Sequence, residues 1–377
     1  MTALVLGVGR MGTAIAYAMD KLGFHVIGMD TNPEAANNIP HKVNLEDGKT
    51  PRNEFFVIKD NKDLIRGISY HKHLIDVVIS SLPYHQTEAV AHHCIQHGLR
   101  YCDLGGRVDV SESINNLAKE KATKPVFTDL GLAPGWVNIL AEEGYQSLYG
   151  GSQITNVNMM VGGLPDYSLS SENPLRYCIS WSPDGLINEY KDDCIVLEDG
   201  QIKTVKGMDG LESVESDKLG KLEAFYTSGG ASHSIHSMKA RGVNNCSYKT
   251  LRYKGHGAMV KFLMRDCQLD DETLNKIFVE GCGQCDKDEV IVIAKVEKDN
   301  KTWKEEKLVR SDDKFSAMQK ATAFPISTVA SLMAEGYFDD RTVQNRGGDK
   351  KLPLVLSYAD VPHDEFNKRL ETLGIYN

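Results

Sequence analysis

Short apolar runs alternate with amphipathic stretches along the first 140 residues of the chain. The runs at 3–6, 24–29, 75–80, 100–104 and 125–129 have the length and continuous apolarity of buried parallel strands. The stretches at 13–22, 87–97 and 111–121 have the apolar spacing of helices. This alternation predicts an α/β fold that begins with a Rossmann domain, a doubly wound parallel sheet with helices on both faces.

The hydrophobic pattern changes after about residue 150. Strand-like runs at 157–161, 247–252 and 290–296 now predominate, and turn signals such as Asp199-Gly200 and Asp209-Gly210 separate them. We therefore expect a Rossmann domain over residues 1–140, with a helix at 317–336 packing back on it. A second α+β domain, built on a mixed or antiparallel sheet and serving substrate binding and dimerisation, is expected over 141–316 and 337–377.

Composition and charge narrow the functional classes. The 377 residues carry a formal net charge of −9, which argues against nucleic acid as a partner. Neither a membrane span nor a signal peptide stands out, and the eight cysteines are not spaced as a disulfide framework. Cys282-Gly-Gln-Cys285 is only half of a zinc site, so we expect no metal. These features favour a cytoplasmic protein whose partner is a small molecule. We also expect a homodimer or higher homo-oligomer.

A glycine turn follows the first predicted strand. Gly7-Val8-Gly9-Arg10-Met11-Gly12 opens a helix, and an acid, Asp30, ends the next strand. In a Rossmann domain this pattern binds a dinucleotide, with the pyrophosphate at the helix N-terminus and the acid on the ribose hydroxyls. Asp30 would repel a 2′-phosphate, so the pattern predicts NAD, held by Gly7, Gly9, Arg10, Met11, Gly12 and Asp30.

Further polar and glycine-rich segments follow later strand ends. Because ligands bind outside the carboxyl ends of parallel strands, these segments are expected to share one crevice. Their predicted cofactor contacts are Ser81, Leu82, Pro83, Leu104, Gly105, Gly131 and Pro134. In the second domain, Thr250 and Arg252 alternate on a strand and therefore face the same way. An arginine in that position suits a carboxylate, although a surface arginine is the alternative.

Nine segments together resemble the saccharopine dehydrogenase family, and most closely its lysine 6-dehydrogenase branch. They fall in family order at 81–84, 102–106, 129–140, 162–165, 180–186, 222–225, 227–230, 248–256 and 321–327. The resemblance implies an NAD-dependent oxidoreductase of amino-acid metabolism that acts on CH–NH or CH–NH2 donors. It also implies substrate contacts at Thr250 and Arg252 and places Gly163 and Trp181 near the active site, although Trp181 is equally suited to a core.

Ala133 departs from the Asp-Pro-Gly turn of the saccharopine-forming members. The resemblance then implies oxidative deamination of the ε-amine of L-lysine, in lysine degradation, to a semialdehyde that cyclises to piperideine-6-carboxylate. Reductive condensation, as in saccharopine or carboxynorspermidine formation, is the alternative enzyme, and a non-catalytic NAD-binding protein is the alternative of another class. Four side chains remain open as the catalytic base, namely Tyr84, His92, Asp129 and His256.

Overall fold

The computed structural model describes residues 1–36, 53–167, 174–282, 287–340, 342–345, 348–351 and 354–375. Within these residues the chain forms two compact units. The first comprises 1–135 and 322–377, and the second comprises 136–321. We describe each unit by itself.

The first unit is built on a six-stranded parallel sheet. Its strands are β1 Thr2–Leu6, β2 His25–Asp30, β3 Glu54–Val57, β4 Val77–Ser80, β5 Tyr101–Asp103 and β6 Val126–Phe127. Their order is β3-β2-β1-β4-β5-β6, the Rossmann order, with the reversal between β1 and β4. Helices alternate with the strands, and those whose bounds lie within the described residues are α1 Arg10–Lys21, α2 Asn61–His71, α3 Tyr84–Gln96 and α4 Val108–Lys121. The predicted Rossmann fold is confirmed.

The second unit is built on an eight-stranded mixed sheet. Its strands are β7 Asn156–Pro165, β8 Asp193–Glu198, β9 Gln201–Lys206, β10 Glu212–Ser216, β11 Gly220–Tyr226, β12 Asn245–Tyr253, β13 Asp288–Lys298 and β14 Lys301–Arg310. In the part of this sheet that the structure describes, β7 and β12 pair in parallel and the other pairs are antiparallel. The helices of this unit are α5 Trp136–Ser147, α6 Pro183–Lys191, α7 Ser234–Ala240, α8 His256–Lys261 and α9 Asp271–Cys282. The prediction of a mixed second sheet is confirmed.

The last part of the chain corrects the predicted domain boundaries. Helix α10, Ala317–Ala334, has the predicted position, and Phe324 on it stacks on Tyr17 of α1 in the first unit. Residues 337–377, which we expected in the second domain, also belong to the first unit. The backbone of Val126 hydrogen-bonds Leu354 and Leu356, so the tail extends the parallel sheet beyond β6. The remaining elements here are β15 Thr342–Asn345, β16 Gly348–Lys351 and α11 His363–Thr372.

The structure also bears on membrane-spanning helices and on the state of the cysteines. Among the described residues, no helix combines the length and the apolar composition that crossing a bilayer requires. Among the described residues, six cysteines form no disulfide, but Cys178 is disulfide-bonded, which the spacing of the cysteines did not predict.

Candidate functional site

The glycine turn of the first unit leaves room for a phosphate. Gly7 has a φ of +77°, which favours glycine, and its N–H donates to the Met29 carbonyl at 2.8 Å. A Cβ on Gly12 would overlap the Gly7 carbonyl oxygen, so that contact requires glycine too. Around the Cβ position of Gly9, by contrast, no heavy atom of the described residues lies within 4 Å. The turn is therefore tightly packed on its inner side and open at Gly9, where a pyrophosphate would approach the start of α1.

Asp30 lies directly behind this turn. Its Oδ2 accepts a hydrogen bond from the Val8 N–H at 2.7 Å, and its Oδ1 accepts one from the Asn32 N–H at 2.8 Å. The side chain is half-buried, and each carboxylate oxygen retains a lone pair for a ribose hydroxyl. Arg10 and Met11 occupy the first turn of α1, with Arg10 exposed. The residues at this end of the sheet therefore fit the adenosine half of a nicotinamide dinucleotide.

The segment after β4 meets the glycine turn. The Ser81 hydroxyl donates to the Gly7 carbonyl at 2.7 Å, and the Ser81 N–H donates to the Leu6 carbonyl. Leu82 lies against Gly7, and Pro83 precedes α3 at the surface. The strand order reverses between β1 and β4, and open α/β sheets bind ligands at such a point.

The ends of β5 and β6 bring the other predicted contacts together. A Cβ on Gly131 would lie 3.1 Å from the carbonyl oxygens of both Leu104 and Pro134. Tyr84 starts α3 beside Gly106 and is 48% exposed, with the Arg107 guanidinium 5.5 Å from its ring centre. A tyrosine in this position is accessible to a bound molecule.

Two carboxyl groups meet between these strand ends. The predicted strand 125–129 ends at Phe127, and Asp129 takes a left-handed φ of 63°. Its N–H donates to Asp103 Oδ1 at 3.1 Å, and its own Oδ1 accepts from the Ser111 hydroxyl at 2.6 Å. Burial, followed by the nearby Asp129 carboxylate, raises the pKa of Asp103 to about 7. Neither Asp103 nor Ser111 was predicted, although an acid at the end of a strand was a signal for Asp103.

Of the two histidines predicted as possible bases, one lies along α3 and the other lies in the second unit. His92 lies eight residues after the start of α3, about 12 Å along the helix, and its Nε2 is 4.0 Å from Glu88. His256 belongs to the second unit and is fully buried. Its Nδ1 bonds the Leu175 carbonyl and its Nε2 bonds the Tyr190 hydroxyl. Burial, followed by the Arg252 charge, lowers the pKa of His256 to about 3, so its ring is neutral near pH 7, and its role as a base stays a prediction.

Arg252 is the central charged group in the core of the second unit. It is 3% exposed, its Nε donates to the Tyr190 hydroxyl at 2.8 Å, and its Nη1 donates to the Leu251 carbonyl at 2.9 Å. Its guanidinium carbon lies 4.6 Å from the Tyr177 ring centre, a cation–π contact. Within the described ranges, no carboxylate lies at ion-pair distance from it. A buried guanidinium charge is unfavourable unless an anion binds to it.

The other three predicted substrate residues surround this arginine. Thr250 is buried beside it on β12 and shares a 2.7 Å hydrogen bond with the Thr227 hydroxyl. The Trp181 indole N–H donates to the hydroxyl of Tyr177, the ring that stacks on Arg252. Gly163 lies on β7, the parallel neighbour of β12, where a Cβ would collide with Met318. The structure therefore gathers all four residues in one part of the second unit.

Three residues beside Arg252 were missed. Tyr177 and Tyr190 contact its guanidinium, and Glu189 lies near enough that the Arg252 charge opposes the rise in its pKa. Burial nevertheless raises the pKa of Glu189 to about 7. No motif pointed to these residues, because helix α6 and the segment before it bring them to β12 through tertiary packing alone.

Among the residues that the structure describes, no group of three or more metal-ligating side chains occurs. Cys285, the second cysteine of the Cys-x-x-Cys pattern, lies outside those residues. The first cysteine, Cys282, is a buried free thiol.

This chain is similar to known proteins in both sequence and fold. Over 219 residues it is 25% identical to a saccharopine dehydrogenase (NADP+, L-glutamate-forming) of Schizosaccharomyces pombe, which covers 57% of this chain and 47% of that protein. It is 34% identical over 143 residues to the mitochondrial alpha-aminoadipic semialdehyde synthase of Bos taurus. This match covers 37% of this chain and 15% of that protein. The matches thus span about half or less of these relatives' lengths.

A solved structure and two family models cover far more of the chain. The apo saccharopine dehydrogenase (L-Glu forming) of Saccharomyces cerevisiae has the same fold, with a TM-score of 0.71 and 17% identity over 100% of this chain and 98% of that one. Residues 3–128 match the saccharopine dehydrogenase NADP binding domain, and residues 131–351 match the saccharopine dehydrogenase C-terminal domain. Since these two domains match most of the chain in the expected order, the chain belongs to the saccharopine dehydrogenase family.

Proposed function

We propose that the protein is an NAD-dependent dehydrogenase that oxidatively deaminates the ε-amine of L-lysine. The observation that carries this proposal is Arg252, a buried guanidinium that has no carboxylate at ion-pair distance among the described residues. The α-carboxylate of an amino acid would supply the missing charge through a bidentate hydrogen bond. Membership of a dehydrogenase family and the open glycine turn support the redox part of the proposal.

The proposed reaction requires an uncharged amine. The ε-ammonium group has an ordinary pKa of about 10.4, so the enzyme must accept a proton before Cε can lose hydride. When bound, the dinucleotide accepts that hydride. Water then converts the resulting imine to the semialdehyde and ammonia. Of the four predicted bases, Tyr84 and Asp129 lie at the carboxyl edge of the parallel sheet, and one of them receives the proton.

Reductive condensation is the second candidate function, and the names of the relatives favour it. Saccharopine dehydrogenases of the L-glutamate-forming type are among them. Against it stands Ala133, which lies between Leu132 and Pro134 without the carboxylate that the saccharopine-forming members carry in this turn.

A panel of amines separates these candidates. With NAD+ in excess, L-lysine is expected to form NADH at a rate that rises toward alkaline pH, because the ε-amine loses its proton more readily there. Ornithine and Nε-blocked lysine are expected to be poor substrates, since one displaces the reacting carbon by a methylene and the other blocks the nitrogen. NADH binding without turnover of any amine would instead support a non-catalytic NAD-binding protein.

Asp30 is expected to decide the choice of cofactor. Replacing Asp30 with Ala removes the acceptor for the ribose hydroxyls and the negative charge that repels a 2′-phosphate. We therefore expect NADH to bind more weakly and the preference for NADH over NADPH to shrink, measured as the ratio of their Kd values. A wild-type protein that prefers NADPH severalfold would show that this assignment of Asp30 is wrong.

A further inference from the structure

Asp103 is a buried acid without a cation. It is 2% exposed at the end of β5, and among the described residues no lysine, arginine or histidine lies at ion-pair distance from it. Its Oδ1 accepts two backbone hydrogen bonds, from the Gly105 N–H at 2.9 Å and from the Asp129 N–H at 3.1 Å. One carboxyl oxygen thus joins the turn after β5 to the segment after β6.

The other oxygen, Oδ2, faces a different set of groups. It is buried and, within the described ranges, has no hydrogen bond of ordinary geometry, and the same holds for the buried oxygens Ser80 Oγ and Tyr101 OH. The Tyr101 hydroxyl is nevertheless close enough to lower the pKa of Asp103. Ser80 pairs with Asp103 in the register of β4 and β5, and Tyr101 lies two residues before Asp103 on the same face. A proton on Oδ2 would give these oxygens a donor, whereas a charge there would be offset by the Tyr101 hydroxyl but, among the described residues, by no cation.

The turn held by Asp103 is closely packed. Gly105 has a φ of +79°, and the position that its Cβ would take is filled by the Asp129 carboxylate. Asp129 has a left-handed φ and is fixed through its N–H, through its Oδ1 and through its carbonyl, which accepts from the Tyr358 hydroxyl at 2.9 Å. A small shift of Asp103 would therefore move both Gly105 and Asp129.

We propose that Asp103, as a neutral acid, is a positioning residue that fixes Gly105 and Asp129 at the dinucleotide-binding edge of the first unit. This inference rests on the dinucleotide-binding part of the proposed function, not on the identity of the amine. The titratable groups that face Asp103 are Asp129 and Tyr101; Cys94 of α3 lies near Tyr101, and the Cys102 thiol turns toward the Val78 carbonyl. None of these groups supplies a positive charge.

Because the pKa of Asp103 is raised, the stability of the folded protein is expected to fall as pH rises. Burial raises the pKa of Asp103 to about 7, above its ordinary value, so the folded protein holds this proton more tightly than the unfolded chain does. Ionisation of Asp103 therefore lowers the free energy of unfolding as pH rises from the ordinary carboxyl pKa through about 7. An amide in its place carries no such dependence.

The test compares wild type with Asp103→Asn and Asp103→Ala. Between pH 5 and pH 8, the Tm of the wild type is expected to fall by about 5 °C relative to that of the Asn variant. Over the same range the Kd for NADH is expected to rise severalfold in the wild type and to stay within about twofold in the Asn variant. The Ala variant, which lacks the acceptor for both N–H groups, is expected to bind NADH about tenfold more weakly at every pH.

Cys102→Ala is the matched control, because it alters the same strand on its other face. It is expected to lower the Tm equally at all pH values. Parallel pH profiles for wild type and Asp103→Asn, or an Asn variant that binds NADH as weakly as the Ala variant, would overturn the proposal. If NADH does not bind at all, the proposed function fails, while the difference in Tm still tests the protonation of Asp103.

Discussion

Replacing Arg252 with Lys is expected to raise the KM for L-lysine by about one to two decades. A charged hydrogen bond contributes about 1.5–3 kcal/mol, and an ammonium group cannot reproduce the two parallel bonds of a guanidinium to a carboxylate. The Kd for NADH is expected to stay unchanged, because Arg252 belongs to the unit that does not contain the glycine turn. Initial rates at saturating NAD+ and NADH titrations measure the two quantities.

Arg241→Lys provides a matched control for this substitution. Arg241 also lies in the second unit, stacks on a tyrosine ring (Tyr145) at 4.2 Å and is mostly buried, but it has an internal partner, Glu142, at 2.7 Å through Nη1. Its replacement is expected to lower the Tm and leave the KM unchanged. If Arg252→Lys and Arg241→Lys have the same effect on the KM, Arg252 is a structural residue and the carboxylate binds elsewhere.

Gly9→Ala is expected to weaken NADH binding about 10- to 100-fold while the Tm stays within about a degree. The added methyl group meets no protein atom within 4 Å, so the fold tolerates it. It would, however, occupy the space through which a pyrophosphate reaches the N–H groups at the start of α1. NADH fluorescence titration and thermal unfolding of the same preparation separate the two effects.

Gly281 of α9 is the control position for Gly9. A Cβ there also meets no heavy atom of the described residues within 4 Å. Because alanine favours a helix, Gly281→Ala is expected to leave NADH binding unchanged and the Tm equal or slightly higher. If Gly9→Ala binds NADH as tightly as wild type, the pyrophosphate does not pass over Gly9, and the assignment of the glycine turn is wrong.

The sequence predicted the first unit better than the second for a physical reason. Parallel strands are apolar on both faces and end in glycines or acids, so β1, β2 and β4 and the residues after them are visible as local patterns. Strand β3 was missed, because its exposed Glu54 and Val57 place it at the sheet edge, where continuous apolarity is not required. The tail was assigned to the wrong unit because its pairing with β6 joins residues far apart in the chain.

In the candidate site, the sequence predicted which side chains share a face better than it predicted their burial and hydrogen-bond partners. The alternation of Thr250 and Arg252 placed both side chains on one face of β12, and this holds in the structure. Nothing in the sequence showed that the Tyr190 hydroxyl would bond both Arg252 and His256. Burial and hydrogen-bond partners decide whether a histidine can act as a base, and both depend on tertiary contacts.

The most direct test of the proposed reaction is the stoichiometry of ammonia and NADH with L-lysine and NAD+ as the only substrates. One ammonia released for each NADH formed, in the absence of any keto acid, is the expected result. Addition of 2-oxoglutarate is expected to leave the rate unchanged. Strict dependence of the reaction on 2-oxoglutarate, with no ammonia released, would contradict the proposal and establish the condensation chemistry despite Ala133.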